Sequence, residues 1–129
     1  MRNYRDLQVW NKAHALTLSL YQLSRTFPKE ETYGLTSQLR RAAVSVGANL
    51  AEGCGRRTIG ELARFVRIAM GSASELDYHL VLCRDLGFLK REDFHRASRE
   101  LTEVRKMLTS LFLAKVEGQA QEKASGAGA

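Results

Sequence analysis

Six arginines are the residues of this chain whose type and spacing best suit binding to an anion. They lie within residues 38–67, where only two acidic residues, Glu52 and Glu61, accompany them. A guanidinium group donates two parallel hydrogen bonds to a phosphate and keeps its charge at physiological pH. The sequence therefore predicts a phosphate-binding surface made of Arg40, Arg41, Arg56, Arg57, Arg64 and Arg67.

The overall charge favours a polyanionic partner. The chain has a formal net charge of +6 and a pI of about 9.7. No pattern of aromatic residues alternates with the arginines, so we predict nonspecific binding of structured RNA or DNA without base stacking. A basic surface also suits salt bridges to proteins, and a protein-binding scaffold or adaptor with no nucleic-acid role stays open as the alternative.

Residues typical of catalysis or metal binding are few and poorly spaced. A ferritin-type di-iron site needs two Glu-x-x-His motifs, and only Glu92 and His95 form one. His79 and Cys83 stand one helical turn apart, which supplies at most half of a zinc site, and a core histidine with a buried thiol is the simpler interpretation. We predict a non-enzymatic protein with no catalytic residue, metal or cofactor; a metalloenzyme is the least favoured alternative.

Helical periodicity dominates the elements that carry these residues. Val9, Ala13, Leu16 and Leu20 follow one another at steps of four and three, the spacing of a helix seam. Thr58, with a glutamate three residues later, matches the capping-box pattern of a helix start. The same reading along the chain predicts helices at about 6–26, 33–52, 58–86 and 92–116, within one domain of residues 1–117.

Short connections between these helices predict an all-α, antiparallel up-down-up-down four-helix bundle. The third helix carries two apolar stripes, more than one bundle is expected to bury, which predicts an oligomer. Gly53 and Gly55 are predicted to end the second helix in the left-handed conformation. Residues 118–129 have little to bury and are predicted to form a disordered C-terminal tail.

Two polar residues are predicted to belong to the structural core. Asn49 lies on an apolar stripe of the second helix, where a buried amide needs hydrogen-bond partners; a partly exposed position near the helix end is the alternative. Glu75 lies at the edge of the third helix's stripe and is predicted to pair with Arg40 or Arg41. Such a pair would withdraw that arginine from the phosphate-binding surface.

The remaining features of the sequence concern the cellular compartment of the protein. The two cysteines, Cys54 and Cys83, are far apart in sequence and form no CxxC pair, which argues against a disulfide framework. The start of the chain lacks the apolar core of a signal peptide, and no apolar run is long enough to span a bilayer. We therefore predict a soluble, cytoplasmic protein without a membrane partner.

Several longer motifs carry a family resemblance. The segments LQVW, LTSQLRRAAVSVGANLAEG, FVRIAMGSASEL and DLGFL, at these spacings, resemble the bacterial proteins encoded by intervening sequences of 23S ribosomal RNA genes. The resemblance extends over about residues 4–116 and implies a helical, oligomeric, non-catalytic protein. The family is similar to the accessory variability protein of diversity-generating retroelements, which implies a homopentamer and, as partners, nucleic acid and a reverse transcriptase.

Overall fold

The computed structural model describes residues 2–128, with side chains described as far as residue 125. Within this part of the chain the structure contains four α-helices, three short 3₁₀ helices and no strand. The α-helices are α1 (Gln8–Leu23), α2 (Leu35–Cys54), α3 (Ile59–Asp85) and α4 (Arg91–Gly128). The all-helical prediction is confirmed for the described residues.

Helix α1 is shorter at both ends than its sequence pattern predicts. Residues Tyr4–Asp6 form a 3₁₀ helix that is capped by Asn3, whose side-chain oxygen accepts a hydrogen bond from the Arg5 amide at 3.0 Å. Asp6, where the sequence pattern begins the first helix, therefore belongs to this separate 3₁₀ helix. At the other end, Ser24–Thr26 form a second 3₁₀ helix before Pro28, whose ring cannot continue the hydrogen-bonding pattern.

The small residues of α2 allow close contact on two sides. A Cβ atom added at Gly53 would lie 2.9 Å from the Cβ of Phe65, so α3 packs directly against this glycine. A Cβ added at Gly47 would lie 3.3 Å from the indole nitrogen of Trp10 on α1. Earlier in α2, the Ser45 hydroxyl contacts the Ser72 hydroxyl of α3. Neighbouring helices therefore approach α2 closely at these positions.

The helix ends test two predictions about local sequence. The hydroxyl of Thr58 accepts a hydrogen bond from the Glu61 amide at 3.1 Å, which confirms the cap of α3. Gly87 follows α3 with a positive φ of 79°, and the Phe88 amide donates to the Cys83 carbonyl, a common way to end a helix. The left-handed conformation predicted at Gly53 and Gly55 is wrong, since Gly53 lies inside α2 and Gly55 has φ −83°.

Helix α4 continues to Gly128, beyond the predicted end near Val116 and through the described part of the segment predicted to be a disordered tail. Ala129, the last residue of that segment, lies outside the described residues. The first turn of α4 beyond Val116 packs against the start of α3. A Cβ added at Gly60 would lie 2.8 Å from the Gln119 amide nitrogen, and one added at Gly118 would lie 3.7 Å from Ile59.

One apolar core joins the four helices. Helix α3 packs against both α2 and α4, and α1 packs against the same two helices. Both stripes of α3 are therefore largely used within the protomer, with Val66, Ala73 and Leu80 each fully buried. The width of α3 alone does not require a second copy of the chain.

Candidate nucleic-acid interface

One end of the molecule collects most of the arginines that the sequence singles out. Arg57 lies in the connection between α2 and α3, and Arg64 and Arg67 lie near the start of α3. All three are exposed, and none forms a salt bridge with another described residue. Their charges are therefore available to an anion.

An open groove of about 610 Å³ lies beside these arginines. Arg64 and Arg67 line it from α3, while Phe112 and Val116 line it from α4. No acidic side chain is among the described residues that line it. The groove thus combines two guanidinium groups with apolar walls and has no carboxylate to neutralise them.

Aromatic side chains accompany the arginines, contrary to the expectation from sequence. Phe65 lies between Arg64 and Arg67 in the chain, so the sequence itself holds this signal. The guanidinium carbons of Arg56 and Arg64 lie 4.9 Å and 5.6 Å from the centre of its ring. Phe112 is distant in sequence and reaches the groove only because α4 packs beside α3.

Two further basic residues, Arg2 and Lys115, lie at this end and were not predicted. The Arg2 amide donates a hydrogen bond to the Cys54 carbonyl at 3.0 Å, which places the start of the chain at the end of α2. Burial raises the pKa of the Cys54 thiol, and the positive charges of Arg2 and Lys115 oppose that rise. Both charges therefore act close to the end of α2. We refer to Arg2, Arg56, Arg57, Arg64, Arg67 and Lys115 as the basic end.

Within the basic end, Arg56 already forms a salt bridge. Its guanidinium group bonds to the Glu52 carboxylate at 2.6 Å, one helical turn earlier. Both side chains are about half exposed, so the pair contributes little to stability and can exchange for a phosphate contact.

Arg40 and Arg41 lie away from the basic end. They lie in the second turn of α2, roughly 20 Å along the helix axis from its last residues at 1.5 Å per residue. The Arg40 guanidinium donates to the Ser24 hydroxyl at 2.8 Å and to the Tyr21 carbonyl at 3.3 Å, and it stacks on the Tyr21 ring. Arg40 therefore ties α2 to α1, whereas Arg41 is exposed.

The predicted partner of Glu75 is wrong. Glu75 is exposed and forms no described salt bridge with Arg40 or Arg41; its carboxylate lies 3.8 Å from the Nε2 atom of His79, one helical turn along α3. A side chain that keeps its hydration on the helix surface does not need a buried countercharge. Glu75 is thus not part of a polar core.

Asn49 has the hydrogen-bond partners that its position predicts, although it is only partly buried. Its amide nitrogen donates to the Ser45 carbonyl at 2.8 Å and lies 3.0 Å from the Ser45 hydroxyl. That hydroxyl is in turn 2.7 Å from the Ser72 hydroxyl on α3. The three side chains form a short polar network that links α2 to α3.

His79 and Cys83 occupy the core as two separate buried groups. The Nδ1 atom of His79 has no hydrogen-bond partner among the described residues. Burial, with a smaller effect of the Glu31 charge, raises the pKa of the Cys83 thiol to about 11. A thiol that stays protonated is a poor metal ligand and a poor nucleophile.

Metal centres and membrane spans are absent from the part of the chain that the structure describes. Among these residues, no group of three or more histidine, cysteine, aspartate or glutamate side chains is placed to hold a metal ion. No helix in the described ranges has both the length and the apolar content needed to cross a membrane.

Comparison with known proteins bears on the resemblance noted in the sequence. The 23S rRNA-intervening sequence protein family matches residues 5–110, a range that ends before Phe112. The chain is also similar to a solved protein of unknown function from the S23 ribosomal protein family of Bacteroides thetaiotaomicron, with 23% identity and a TM-score of 0.74 over 81% of this chain and 97% of that one. That likeness shows the fold alone. No curated protein matches the chain. Since the family match covers well over half of the sequence and confirms the resemblance, the chain belongs to the 23S rRNA-intervening sequence protein family.

Proposed function

We propose that this protein is a cytoplasmic, non-enzymatic homo-oligomer that binds structured RNA or DNA nonspecifically through its basic end. The observation that carries the proposal is that Arg64 and Arg67 line one groove that has no acidic residue in its described lining. Guanidinium groups without carboxylate partners lose little when they exchange water for phosphate oxygens. The family name, which refers to an intervening sequence of 23S rRNA, makes structured RNA the first probe.

The proposed topology is the antiparallel up-down-up-down bundle. Contacts between α2 and α3 support it, because the residue numbers run in opposite directions along the pair: Gly53 meets Phe65, and Ser45 meets Ser72. The contact between Gly60 and Gln119 supports the same relation for α3 and α4, together with the contact of Ser74 with Arg105. This topology brings the end of α2, the start of α3 and the later part of α4 to one end.

A second groove supports the proposal of self-association. It has a volume of about 320 Å³ and lies between α1 and α2, with Trp10, Val44 and Gly47 among its lining residues and no aspartate, glutamate, lysine or arginine described in it. Val44 is 44% exposed there, and Leu18, on α1, is 56% exposed. A second copy of the chain would remove this apolar surface from water, and the family resemblance makes a pentamer the expected assembly.

An electrophoretic shift assay with a structured RNA at low salt tests the nucleic-acid proposal. We expect the wild-type protein to bind and the double variant Arg64→Glu, Arg67→Glu to bind at least about tenfold more weakly. The slope of log affinity against log salt should also become shallower by about one for each phosphate that the variant no longer neutralises. Both positions are exposed, so the substitutions are expected to leave the fold intact.

A matched control distinguishes the effect of the basic end on binding from the effect of the protein's total charge. The double variant Arg91→Glu, Arg99→Glu makes the same charge change on exposed residues of α4, with Arg99 roughly 20 Å along the helix from Phe112 at 1.5 Å per residue. It should bind nearly as well as the wild type. Equal affinity of the wild type and the Arg64/Arg67 variant, or no binding by the wild type, would refute the proposal.

A protein-binding scaffold or adaptor remains the second candidate, and the groove between α1 and α2 is the feature that favours it. Its occupant would then be another protein, such as the reverse transcriptase that the family resemblance implies. A partner protein that stays bound after nuclease treatment, together with no RNA shift, would favour this function.

A further inference from the structure

We propose that the groove between α3 and α4 holds a single unpaired nucleotide, with its phosphate on Arg64 and Arg67 and its base against Phe112. This inference rests on the proposed nucleic-acid function and specifies how one site of the basic end works. It predicts that the base itself contributes to binding affinity, which would not occur on a purely electrostatic surface.

The composition of the groove matches the two halves of a nucleotide. Arg64 and Arg67 are three residues apart on α3, so both side chains project on the same side of the helix. Phe112 and Val116 line the groove from α4, and Ile68 adds an apolar side chain from α3. A charged edge facing an apolar, aromatic wall suits a ligand with a phosphate at one end and a flat ring at the other.

The volume of the groove limits the size of the ligand, and the lack of acidic residues in its described lining suits a ligand with negative charge. About 610 Å³ is within the usual range for sites that bind small molecules, and it accommodates one nucleotide unit. A rigid duplex keeps its bases stacked inside, where Phe112 cannot reach them. A single strand, loop or bulge can turn one base outward into the groove.

Gln119 provides a polar group at the same wall. Its side-chain amide lies against Gly60, close enough that a Cβ there would approach the amide nitrogen to 2.8 Å. Gly60 therefore lets the later part of α4 approach α3 and brings an amide into the lining of the groove. An amide both donates and accepts hydrogen bonds, so it can pair with the edge of any base without strict selection.

The experiment compares three synthetic ligands on the full-length protein: a 12-nucleotide single-stranded oligouridine, an abasic strand of the same length and charge, and an RNA duplex. Affinity is measured by fluorescence anisotropy at one salt concentration. We expect the abasic strand to bind at least about fivefold more weakly than oligouridine, since stacking of one base on an aromatic ring is worth roughly that factor or more.

Two variants locate the effect. Phe112→Leu should reduce affinity for oligouridine by a similar factor and leave affinity for the abasic strand and the duplex unchanged. Phe88→Leu is the matched control, because Phe88 is also half-buried against the core but follows the opposite end of α3. It should leave all three affinities unchanged.

The outcomes distinguish this inference from the proposed function. If oligouridine and the abasic strand bind equally, and both are lost with Arg64→Glu and Arg67→Glu, the basic end binds phosphate but the nucleotide site is refuted. If no ligand binds, both proposals fail. If Phe112→Leu is poorly folded, the comparison of the two strands on the wild-type protein still decides the result.

Discussion

Two glycines in α-helices offer a matched test of the packing between α2 and α3. Gly53 is buried in the last turn of α2, where an added Cβ would lie 2.9 Å from the Cβ of Phe65 and 3.0 Å from a methyl group of Leu62. Gly71 lies inside α3, and outside its own turn of helix no described atom comes within 4 Å of a Cβ added there. We predict that Gly53→Ala destabilises the protein and Gly71→Ala stabilises it.

The expected magnitudes follow from two opposing effects. An alanine in a helix interior is favoured over glycine by about 1 kcal/mol, and this gain acts fully at Gly71 and less at Gly53, near a helix end. At Gly53 the new methyl group also meets a Cβ atom fixed to the α3 backbone, so the helices must separate. Overpacking of this kind costs about 1–3 kcal/mol.

The assay is equilibrium denaturation in urea at one fixed protomer concentration, because self-association would make stability depend on concentration. We expect Gly71→Ala to raise the free energy of unfolding by about 0.5–1 kcal/mol and Gly53→Ala to lower it by about 1–2 kcal/mol. A Gly53→Ala variant as stable as the wild type would show that α2 and α3 do not pack as closely as described.

Two further predictions concern the core and the assembly. Burial raises the pKa of Cys83 from 9.0 to about 11, so the folded state holds the thiol proton more tightly than the unfolded state. The free energy of unfolding should therefore fall by up to about 2–3 kcal/mol between about pH 9 and pH 11. An equally steep fall in the Cys83→Ala variant would contradict this cause. Light scattering should give a wild-type mass of about five 14.5 kDa protomers. Val44→Glu should reduce this mass, whereas Leu113→Glu, at an exposed position on α4, should not. A wild-type monomer would refute self-association.

Sequence reasoning succeeds where the determining interactions are local. The seam of α1 is predicted correctly because Val9, Ala13 and Leu16 must share a face at helical spacing, and all three are buried. Thr58 caps α3 through a bond to an amide only three residues away. The turn after α3 is equally local, since the positive φ of Gly87 is a property of one residue.

Sequence reasoning fails where a side chain has several possible interaction partners. Glu75 is predicted to pair with Arg40 or Arg41, yet Arg40 bonds to Ser24 and Tyr21 while Glu75 is exposed to solvent. Charge attracts any opposite charge, so only the distances in the fold decide which pair forms. The first turn of α4 beyond Val116 was not predicted for a related reason, because it packs on α3 through the contact of Gln119 with Gly60, which joins residues far apart in the chain.

The sequence by itself determined that this protein is helical, basic and rich in arginine around the connection between α2 and α3, because helix periodicity, capping and charge are properties of neighbouring residues. Only the tertiary structure decided that Arg64 and Arg67 share a groove with Phe112, while Arg40 is bound to α1. The physical reason is that a groove is formed by side chains from two helices. Its composition therefore depends on the register at which α3 and α4 pack, which is set by the whole core.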